Sequence, residues 1–562
     1  MNSNKQYPLI ERLTISGAFI QDITTYLTSY NNDFSSLHNI NPNILEDYKS
    51  NSLPNDIEYN QYKEHIPKYS FPTGLKTAKF NNLQETQIIS FCLVNQHNNQ
   101  HTHCSSLIFY ENYRPGQEAF SLTKAITLSS SKDIYTIHKQ ILNFIYNYLK
   151  RHKNNNSSNK SSNTNINDLL PFYISFILNC LNIPNTKIIS KQLSYLIYNT
   201  TNNSIDTSNS KSFLNFYIDD YTNFPYKDYS LTILFNVMHI DDLIFIYKCM
   251  LLEYKIILIF SNYENINIVI QSLLAILFPF KWRFPITSYC LKETHVLLDS
   301  PFPMVIGVHV NNINSVHFRL NKNQFNNETV VYDLIEKKFL YKNNVDEIND
   351  NSFTVKITNQ LKSELLFIKS EYLRYKTFEN SNGNFEYEGN DIYIDNNYEI
   401  KKLFDNNDKL CNLVNKNFYF NIKIISVFSL VIINFIKDIR NCCINSNNNN
   451  NISEFNYDKE FDVNEFLSKF DFYNNASLLS FMKLFTKTLM FQSFIKSYIR
   501  KKDKLGQYRF IDSIINNHYE SSKMSKRKLK TFINEIIKDK TVNYYKVSDC
   551  FNLYICDMYL YS

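Results

Sequence analysis

The residues best suited to bind a metal ion stand together at 101–104, in the order His-Thr-His-Cys. In an extended segment His101 and His103 would lie on one face, so both imidazoles could approach the same ion. No second ligand pair follows at a spacing typical of a zinc site. The pattern therefore favours polar residues of a surface turn, and we predict no metal site.

Three further candidates for chemistry favour structural roles. Glu253 follows an apolar segment and lacks the partner that a catalytic carboxylate needs, so pairing with Lys255 or with a backbone amide is favoured. His138 lies among apolar residues at helical spacing, which is typical of a core histidine with satisfied hydrogen bonds. The adjacent Cys442 and Cys443 cannot form an ordinary disulfide with each other and indicate buried thiols.

The composition argues against several classes of protein. Only 7 glycines occur in 562 residues, and neither GxxxxGK[ST] nor GxGxxG is present. Because these motifs let the backbone approach a phosphate, we expect neither a nucleotide hydrolase nor a Rossmann dehydrogenase. The net charge of +6 is mild and spread along the chain, which predicts no nucleic-acid partner. No cofactor and no catalytic residue are expected.

Cysteines and apolar segments predict a cytoplasmic location. The 10 cysteines are scattered without a CxxC pair, which is typical of reduced thiols. Glu11 and Arg12 interrupt the N-terminal apolar stretch, so no signal peptide is predicted. The apolar run 424–436 is shorter than the roughly 20 residues that a membrane span needs, and it predicts a buried helix.

Hydrophobic periodicity predicts an α/β protein with two lobes and a mostly helical C-terminal region. The first lobe has short β-rich runs and one amphipathic helix, at residues near 15, 87–94, 105–111 and 134–145. The second lobe has a buried helix, a central parallel strand, another helix and another strand, at residues 241–252, 255–260, 266–277 and 303–310. Helical spacing recurs along 361–372 and 478–489.

Asparagine-rich, low-complexity tracts suggest where these regions end. We predict an upstream lobe, a linker, a central lobe, a helical region with Asn-rich insertions and a tail, at residues 1–152, 153–167, 168–345, 346–520 and 521–562. The lone tryptophan, Trp282, follows Pro279 within an aromatic segment. Because Pro279 ends the preceding helix, we expect Trp282 to fill a buried corner before the next strand.

In this order the segments resemble the tripartite DENN domain family. The strongest likeness is the central segment 229–285, from "YSLTILFNVMHIDDL" to "LFPFKWRFP". Upstream, "IPKYSFPTGLK" at 66–76 resembles the Phe-Pro-x-Gly turn of the family, and "LLDSPFPMVIGVHV" at 297–310 resembles its Asp-x-Pro-x-Pro strand. Downstream, "FDVNEFLSKF" at 461–470 and "SFMKLFTKTLMFQSFI" at 480–495 resemble its final helices.

The chain departs from the family pattern at three motif positions. Thr73 stands where the family usually has an acidic residue before the glycine of the first turn. Thr123 replaces the proline of a Pro-Lys-Ala motif, and Tyr254 replaces an arginine after Leu-Leu-Glu. These departures bear on the identity of the partner more than on the fold.

The resemblance implies a longin-like N-terminal α/β lobe, a central layered α/β lobe and a helical C-terminal region. It also implies a guanine-nucleotide exchange factor that promotes GDP release from a Rab-type GTPase and regulates vesicle traffic. In this family the GTPase docks across the upstream and central lobes. Within that interface our candidates are Asp299, Pro301 and Pro303, because the loop before a strand presents its side chains outward.

Two other functions remain open. The chain could be an adaptor that holds a GTP-loaded Rab as an effector. It could also be a scaffold in a GTPase-regulating complex, where an exposed arginine such as Arg114 would stimulate hydrolysis. The basic segment 523–530 could contact anionic lipid, which suits peripheral association with endomembranes. The sequence leaves the oligomeric state open.

Overall fold

The computed structural model has the mixed α/β architecture and the helical C-terminal region that the sequence predicts. It describes residues 7–8, 10–19, 21–23, 40–50, 63–79, 86–94, 101–113, 120–156, 182–183, 190–197, 212–219, 227–313, 328–342, 355–380, 409–436, 439–443, 457–471 and 476–499. Arg114, the basic segment 523–530 and most of the asparagine-rich tracts lie outside these residues.

Fifteen strands are described. They are β1 Tyr7–Pro8, β2 Arg12–Gly17, β3 Asn43–Lys49, β4 Thr77–Lys79, β5 Gln87–Val94, β6 His101–Tyr113, β7 Phe120–Ser130, β8 Asn182–Ile183, β9 Ser190–Ile197, β10 Ser212–Asp219, β11 Lys255–Phe260, β12 Ile286–Thr287, β13 Val305–His309, β14 Thr329–Asp333 and β15 Lys338–Lys342. The β-rich runs predicted near 15, at 87–94 and at 105–111 are confirmed as β2, β5 and β6.

Twelve α-helices are described. They are α1 His65–Ser70, α2 Tyr135–Asn156, α3 Ile233–Val237, α4 Ile240–Leu251, α5 Tyr263–Ala275, α6 Val310–Ile313, α7 Val355–Asn380, α8 Lys409–Ile436, α9 Tyr457–Glu460, α10 Val463–Asp471, α11 Ala476–Phe485 and α12 Leu489–Ile499. Two 3₁₀ helices, Lys292–Asp299 and Ile439–Cys442, complete the set.

The chain divides into two compact units, each built from separate segments. Unit 1 comprises Met1–Thr186, Lys255–Gln271 and Phe284–Lys342. Unit 2 comprises Lys187–Tyr254, Ser272–Arg283 and Asn343–Ser562. Helix α2 ends at Asn156, inside the predicted linker 153–167. The predicted domain boundaries stay predictions.

The first sheet of unit 1 is antiparallel, with strand order β3-β2-β7-β6-β5 and β4 paired to β7. Its two faces carry different helices. The hydroxyl of Ser70 in α1 lies 2.8 Å from that of Ser106, whereas the neighbouring Ser105 bonds to His138 of α2 at 3.3 Å. Because successive residues of a strand point to opposite faces, α1 and α2 cover opposite sides of this sheet.

The second sheet of unit 1 has the order β12-β13-β11-β14-β15. Strand β11 is parallel to both neighbours, as the apolar run 255–260 predicts, and every residue of it is buried. The core here joins Ile257, Ile306 and Val331 from three adjacent strands. Gly307 lets the backbones pack closely, because a Cβ at this position would lie 2.2 Å from the carbonyl oxygen of Ser288.

Unit 2 is organised around two buried helices, α4 and α8. The hydroxyl of Tyr247 in α4 donates to the carbonyl of Phe428 in α8 over 3.3 Å. Ser429 donates to the carbonyl of Phe278 over 3.1 Å. Trp282 is buried, as predicted. The apolar run 424–436 lies within α8 and is mostly buried, which confirms the predicted buried helix.

Lys423, just before that run, pairs with Glu371 of α7 at 2.7 Å, and both side chains are largely buried. The ion pair joins the two long helices of unit 2. Within the part of the chain that the structure describes, no helix combines the length and the apolar character that crossing a bilayer requires.

Candidate functional site

The candidate residues Asp299, Pro301 and Pro303 lie on one segment that leads into β13. The 3₁₀ helix Lys292–Asp299 comes first, and a short extended loop then leads to Val305. Asp299 and Pro301 are exposed, whereas Pro303 is half-buried. The expectation of outward-facing side chains thus agrees with the structure at the first two positions and only in part at Pro303.

Two large apolar side chains on the same segment are also exposed. Val296 is 65% exposed and Phe302 is 64% exposed. These values are high for side chains of this kind, which usually contribute to a core. Sequence reasoning missed both residues, although a phenylalanine between two prolines in a loop was an available signal. We call Val296, Asp299, Pro301 and Phe302 the loop surface.

Lys255, the first residue of β11, holds the loop surface in place through hydrogen bonds to its backbone. Its ammonium donates to the carbonyls of Leu298 and of Ser300, the latter over 2.7 Å. The side chain is buried, and this desolvation lowers the pKa of Lys255, while the nearby carboxylate of Asp299 acts in the opposite direction. A charged donor thus fixes two loop carbonyls that would otherwise lack a strong partner.

The start of the same segment is fixed by local bonds. The amide of Leu291 donates to the hydroxyl of Thr294 over 2.9 Å. Glu293 pairs with Lys68 at 2.6 Å, but both side chains are exposed, so this pair adds little stability. The loop surface is therefore held mainly by Lys255 and by the buried Leu298 and not by its surface charges.

Glu253 has a structural role, as predicted, and its partners are backbone amides. Its carboxylate accepts hydrogen bonds from Leu489 at 3.0 Å and from Met490 at 2.6 Å. These amides begin α12, where the helix has no carbonyl partners of its own to offer them. Burial raises the pKa of Glu253, and the two amides oppose that shift. The alternative pairing with Lys255 is not formed.

His138 is a core histidine with satisfied hydrogen bonds, as predicted. It is fully buried between α2 and the first sheet, with Nε2 lying 3.1 Å from the Ser130 hydroxyl and Nδ1 lying 3.3 Å from the Ser105 hydroxyl. Desolvation lowers the pKa of His138 to about 3, and the nearby His103 adds to this effect. The imidazole is therefore neutral at physiological pH.

The prediction of a surface turn at 101–104 is wrong. These residues begin β6, and both His103 and Cys104 are buried. One further metal-binding side chain joins them, because Cys92 of β5 lies directly opposite His103. The ligand atoms of Cys92, His101 and His103 all lie within 4.8 Å of one another. Pairing of the two strands creates this group, which sequence spacing alone did not indicate.

Cys442 and Cys443 are free thiols, the first buried and the second partly so. Burial raises the pKa of Cys443 to about 11, and the neighbouring Cys442 adds to the shift. A thiol with a raised pKa is a poor nucleophile at neutral pH. The prediction of buried thiols is confirmed for Cys442 and only in part for Cys443.

Comparison with known proteins bears on the part of the chain that contains the loop surface. Residues 121–337 match the family model of the DENN (AEX-3) domain. This part of the chain is similar to DENN domains. This matched range runs from β7 to the turn after β14, so it includes Lys255 and all four residues of the loop surface.

Two relatives support the DENN assignment over short segments. The chain is 31% identical over 96 residues to the MAP kinase-activating death domain protein of Caenorhabditis elegans, which covers 16% of this chain and 7% of that protein. It is 26% identical over 98 residues to the Mus musculus protein of the same name, covering 17% of this chain and 6% of that protein. The chain thus spans only a small part of the length of these relatives.

Proposed function

We propose that this chain is a guanine-nucleotide exchange factor that promotes GDP release from a Rab-type GTPase. The DENN match over residues 121–337 supports this class of function. The observation that carries the site assignment is Phe302, an exposed aromatic side chain on an anchored loop inside the matched range. We assign the GTPase contact to the loop surface, which includes Asp299 and Pro301, and to the adjoining half-buried Pro303.

The loop surface has the properties of an interface centre. Exposed aromatic side chains often dominate binding energy, and burying a phenylalanine fully is worth about 1.5 to 3 kcal/mol. Pro301 restricts the backbone beside Phe302, and Lys255 fixes the carbonyl of Ser300. Little conformational entropy would therefore be lost on docking. Asp299 adds a negative charge, which favours one orientation of the partner.

Exchange of this kind needs no covalent step. A protein that binds the nucleotide-free GTPase more tightly than the GDP-bound form must weaken GDP binding by the same factor. The energy comes from an interface of about 1,200 Å² or more, spread over many contacts. We place this reaction on the cytoplasmic side of endomembranes, with the chain recruited peripherally to regulate vesicle traffic.

The decisive experiment measures release of fluorescent GDP from a panel of Rab GTPases with and without the full chain. We expect faster release from one or two members. Phe302→Asp should slow the stimulated release at least about tenfold, equivalent to about 1.4 kcal/mol of lost interface energy. No acceleration from any member would contradict the proposal.

Ile335→Asp is the matched control. Ile335 is 46% exposed and lies in the turn after β14, whereas the loop surface precedes β13. Because β13 and β14 both run parallel to β11, these two turns lie at opposite ends of the sheet. The control should leave release unchanged. Tight binding to a GTP-loaded Rab without exchange would instead indicate an effector, and stimulated hydrolysis would indicate a GTPase-activating scaffold.

A further inference from the structure

Strand pairing gathers three metal-binding side chains on the face of the first sheet that α2 covers. Cys92 of β5 stands opposite His103 of β6, and Val94 stands opposite His101. Because His101 and His103 are two residues apart, their side chains point to the same face, and Cys92 points there as the cross-strand partner. Tyr135 and His138 of α2 lie over this face.

The distances suit one small ion. The thiol sulfur and the two imidazole nitrogens lie within 4.8 Å of one another. In a tetrahedral zinc site with bonds of 2.0 to 2.3 Å, ligand atoms are about 3.3 to 3.8 Å apart. Any pair of these atoms near the 4.8 Å limit would have to move closer together when the ion binds.

An outer-shell partner for His103 is already in position. The hydroxyl of Tyr135 lies 2.6 Å from Nδ1 of His103, which leaves Nε2 as the nitrogen available to a metal. Metal-binding histidines usually bond through their second nitrogen to a polar group that orients the ring. With an ion on Nε2, Nδ1 carries the proton, and this N–H donates a hydrogen bond to the phenolic oxygen of Tyr135.

We propose that Cys92, His101 and His103 bind one Zn²⁺ ion, with water as the fourth ligand. A thiolate and two imidazoles form a set that favours zinc over the oxygen-seeking calcium and magnesium ions. Cys92 and His103 are buried, whereas His101 is partly exposed, so water can reach the fourth position from the side of His101.

The ion would join the ends of β5 and β6. Cys92 also contacts the residue that follows β12 of the second sheet, because its amide donates to the hydroxyl of Ser288 over 3.0 Å, and Ser288 donates to Asn267 of α5 over 2.8 Å. Zinc binding should therefore stabilise β5, the strand that contacts that sheet. On binding, the Cys92 thiol loses its proton to solvent and the sulfur forms the bond to zinc, so affinity rises with pH.

The first test is titration of the purified, chelator-treated full chain with Co²⁺ and then Zn²⁺. We expect one ion per chain, a thiolate-to-cobalt charge-transfer band and the visible bands of a tetrahedral ion, all displaced by zinc. Cys92→Ser should remove the charge-transfer band, and His101→Gln should weaken binding at least about tenfold. Because His101 is partly exposed, the second variant is expected to fold.

The matched control is Cys104→Ser. Cys104 is buried in the same pair of strands, but as the neighbour of His103 it faces the opposite side of the sheet. Cys443→Ser, in unit 2, serves as a second control. Both should retain the cobalt spectrum. Tyr135→Phe should keep the spectrum and lower zinc affinity about 10- to 100-fold, as loss of an outer-shell partner does.

Two results would overturn the site. One is a wild-type chain that binds no Co²⁺ through a thiolate. The other is a charge-transfer band that persists in Cys92→Ser, since the ion would then be bound through a thiolate elsewhere in the chain.

Discussion

The ammonium of Lys255 lies 2.7 Å from the backbone carbonyl oxygen of Ser300, 45 residues further along the chain. This bond ties the first residue of a buried parallel strand to the exposed loop that precedes the neighbouring strand. A lysine at this position is unusual because burial penalises its charge, as the lowered pKa of Lys255 reflects. Its placement is explained by the two carbonyls that it satisfies.

Lys255→Met should therefore loosen the loop surface. The change keeps the aliphatic length but leaves the carbonyls of Leu298 and Ser300 without this donor, at a cost of about 1 to 3 kcal/mol in the free energy of unfolding. Urea denaturation measures this loss, and limited proteolysis reports cleavage near 292–303. Lys338→Met, at an exposed ion pair with Glu336, should change stability far less, because exposed ion pairs contribute little. Equal effects of the two variants would contradict the anchoring role.

Glu253→Ala should destabilise unit 2 by removing the cap of α12. The carboxylate accepts from two consecutive amides, so its loss should cost about 2 kcal/mol, the upper end for a single cap. Asp462→Ala is the comparison, because Asp462 accepts from one amide, that of Glu465, at a more exposed site. Thermal unfolding should rank the two losses in that order, and the reverse ranking would count against the capping assignment.

Gly307→Ala should disrupt the second sheet of unit 1. The added Cβ would lie 2.2 Å from the Ser288 carbonyl oxygen and 2.8 Å from Cγ1 of Ile266, and the backbone oxygen cannot move aside easily. Overpacking of this kind costs about 1 to 3 kcal/mol or more. At Gly17 the nearest atom would be the flexible Cδ1 of Leu45 at 3.2 Å, so Gly17→Ala should be milder. Circular dichroism melts of both variants test the difference.

The free energy of unfolding of unit 1 should decrease as the pH is lowered, because of His138. Its pKa is lowered from 6.5 to about 3 in the folded chain, so between these values the unfolded chain binds the extra proton. The stabilising contribution is complete above pH 6.5 and decreases as the pH falls towards 3. The free energy of unfolding should lose about 2 kcal/mol from this group by pH 5.

His138→Gln isolates that contribution. The glutamine stays neutral, so the difference in unfolding free energy between wild type and variant should shrink as the pH falls from 7 to 5 in urea titrations. A difference that stays constant over this range would mean that the pKa of His138 is not lowered in the folded state.

Sequence patterns predicted the individual elements well where burial alone sets the pattern. The continuous apolar run of β11 and the all-round apolar helix α4 are recognisable because every side chain faces the interior. The helical face predicted along 478–489 was wrong at its end. Two helices, α11 and α12, replace it, and Leu489 is 48% exposed. The helix is interrupted here because Glu253, more than two hundred residues earlier in the chain, caps the start of a new helix.

The α/β class, the buried segments and the resemblance to DENN domains can thus be recognised in the amino-acid order, because each rests on local periodicity or on motif order. Which distant groups meet depends instead on the folded chain. The register of β5 on β6 places Cys92 opposite His103, and a shift of one residue would turn these side chains to different faces. Lys255 reaches Ser300 only because parallel strands align their starts. Such contacts depend on how separate segments pack, which no local pattern records.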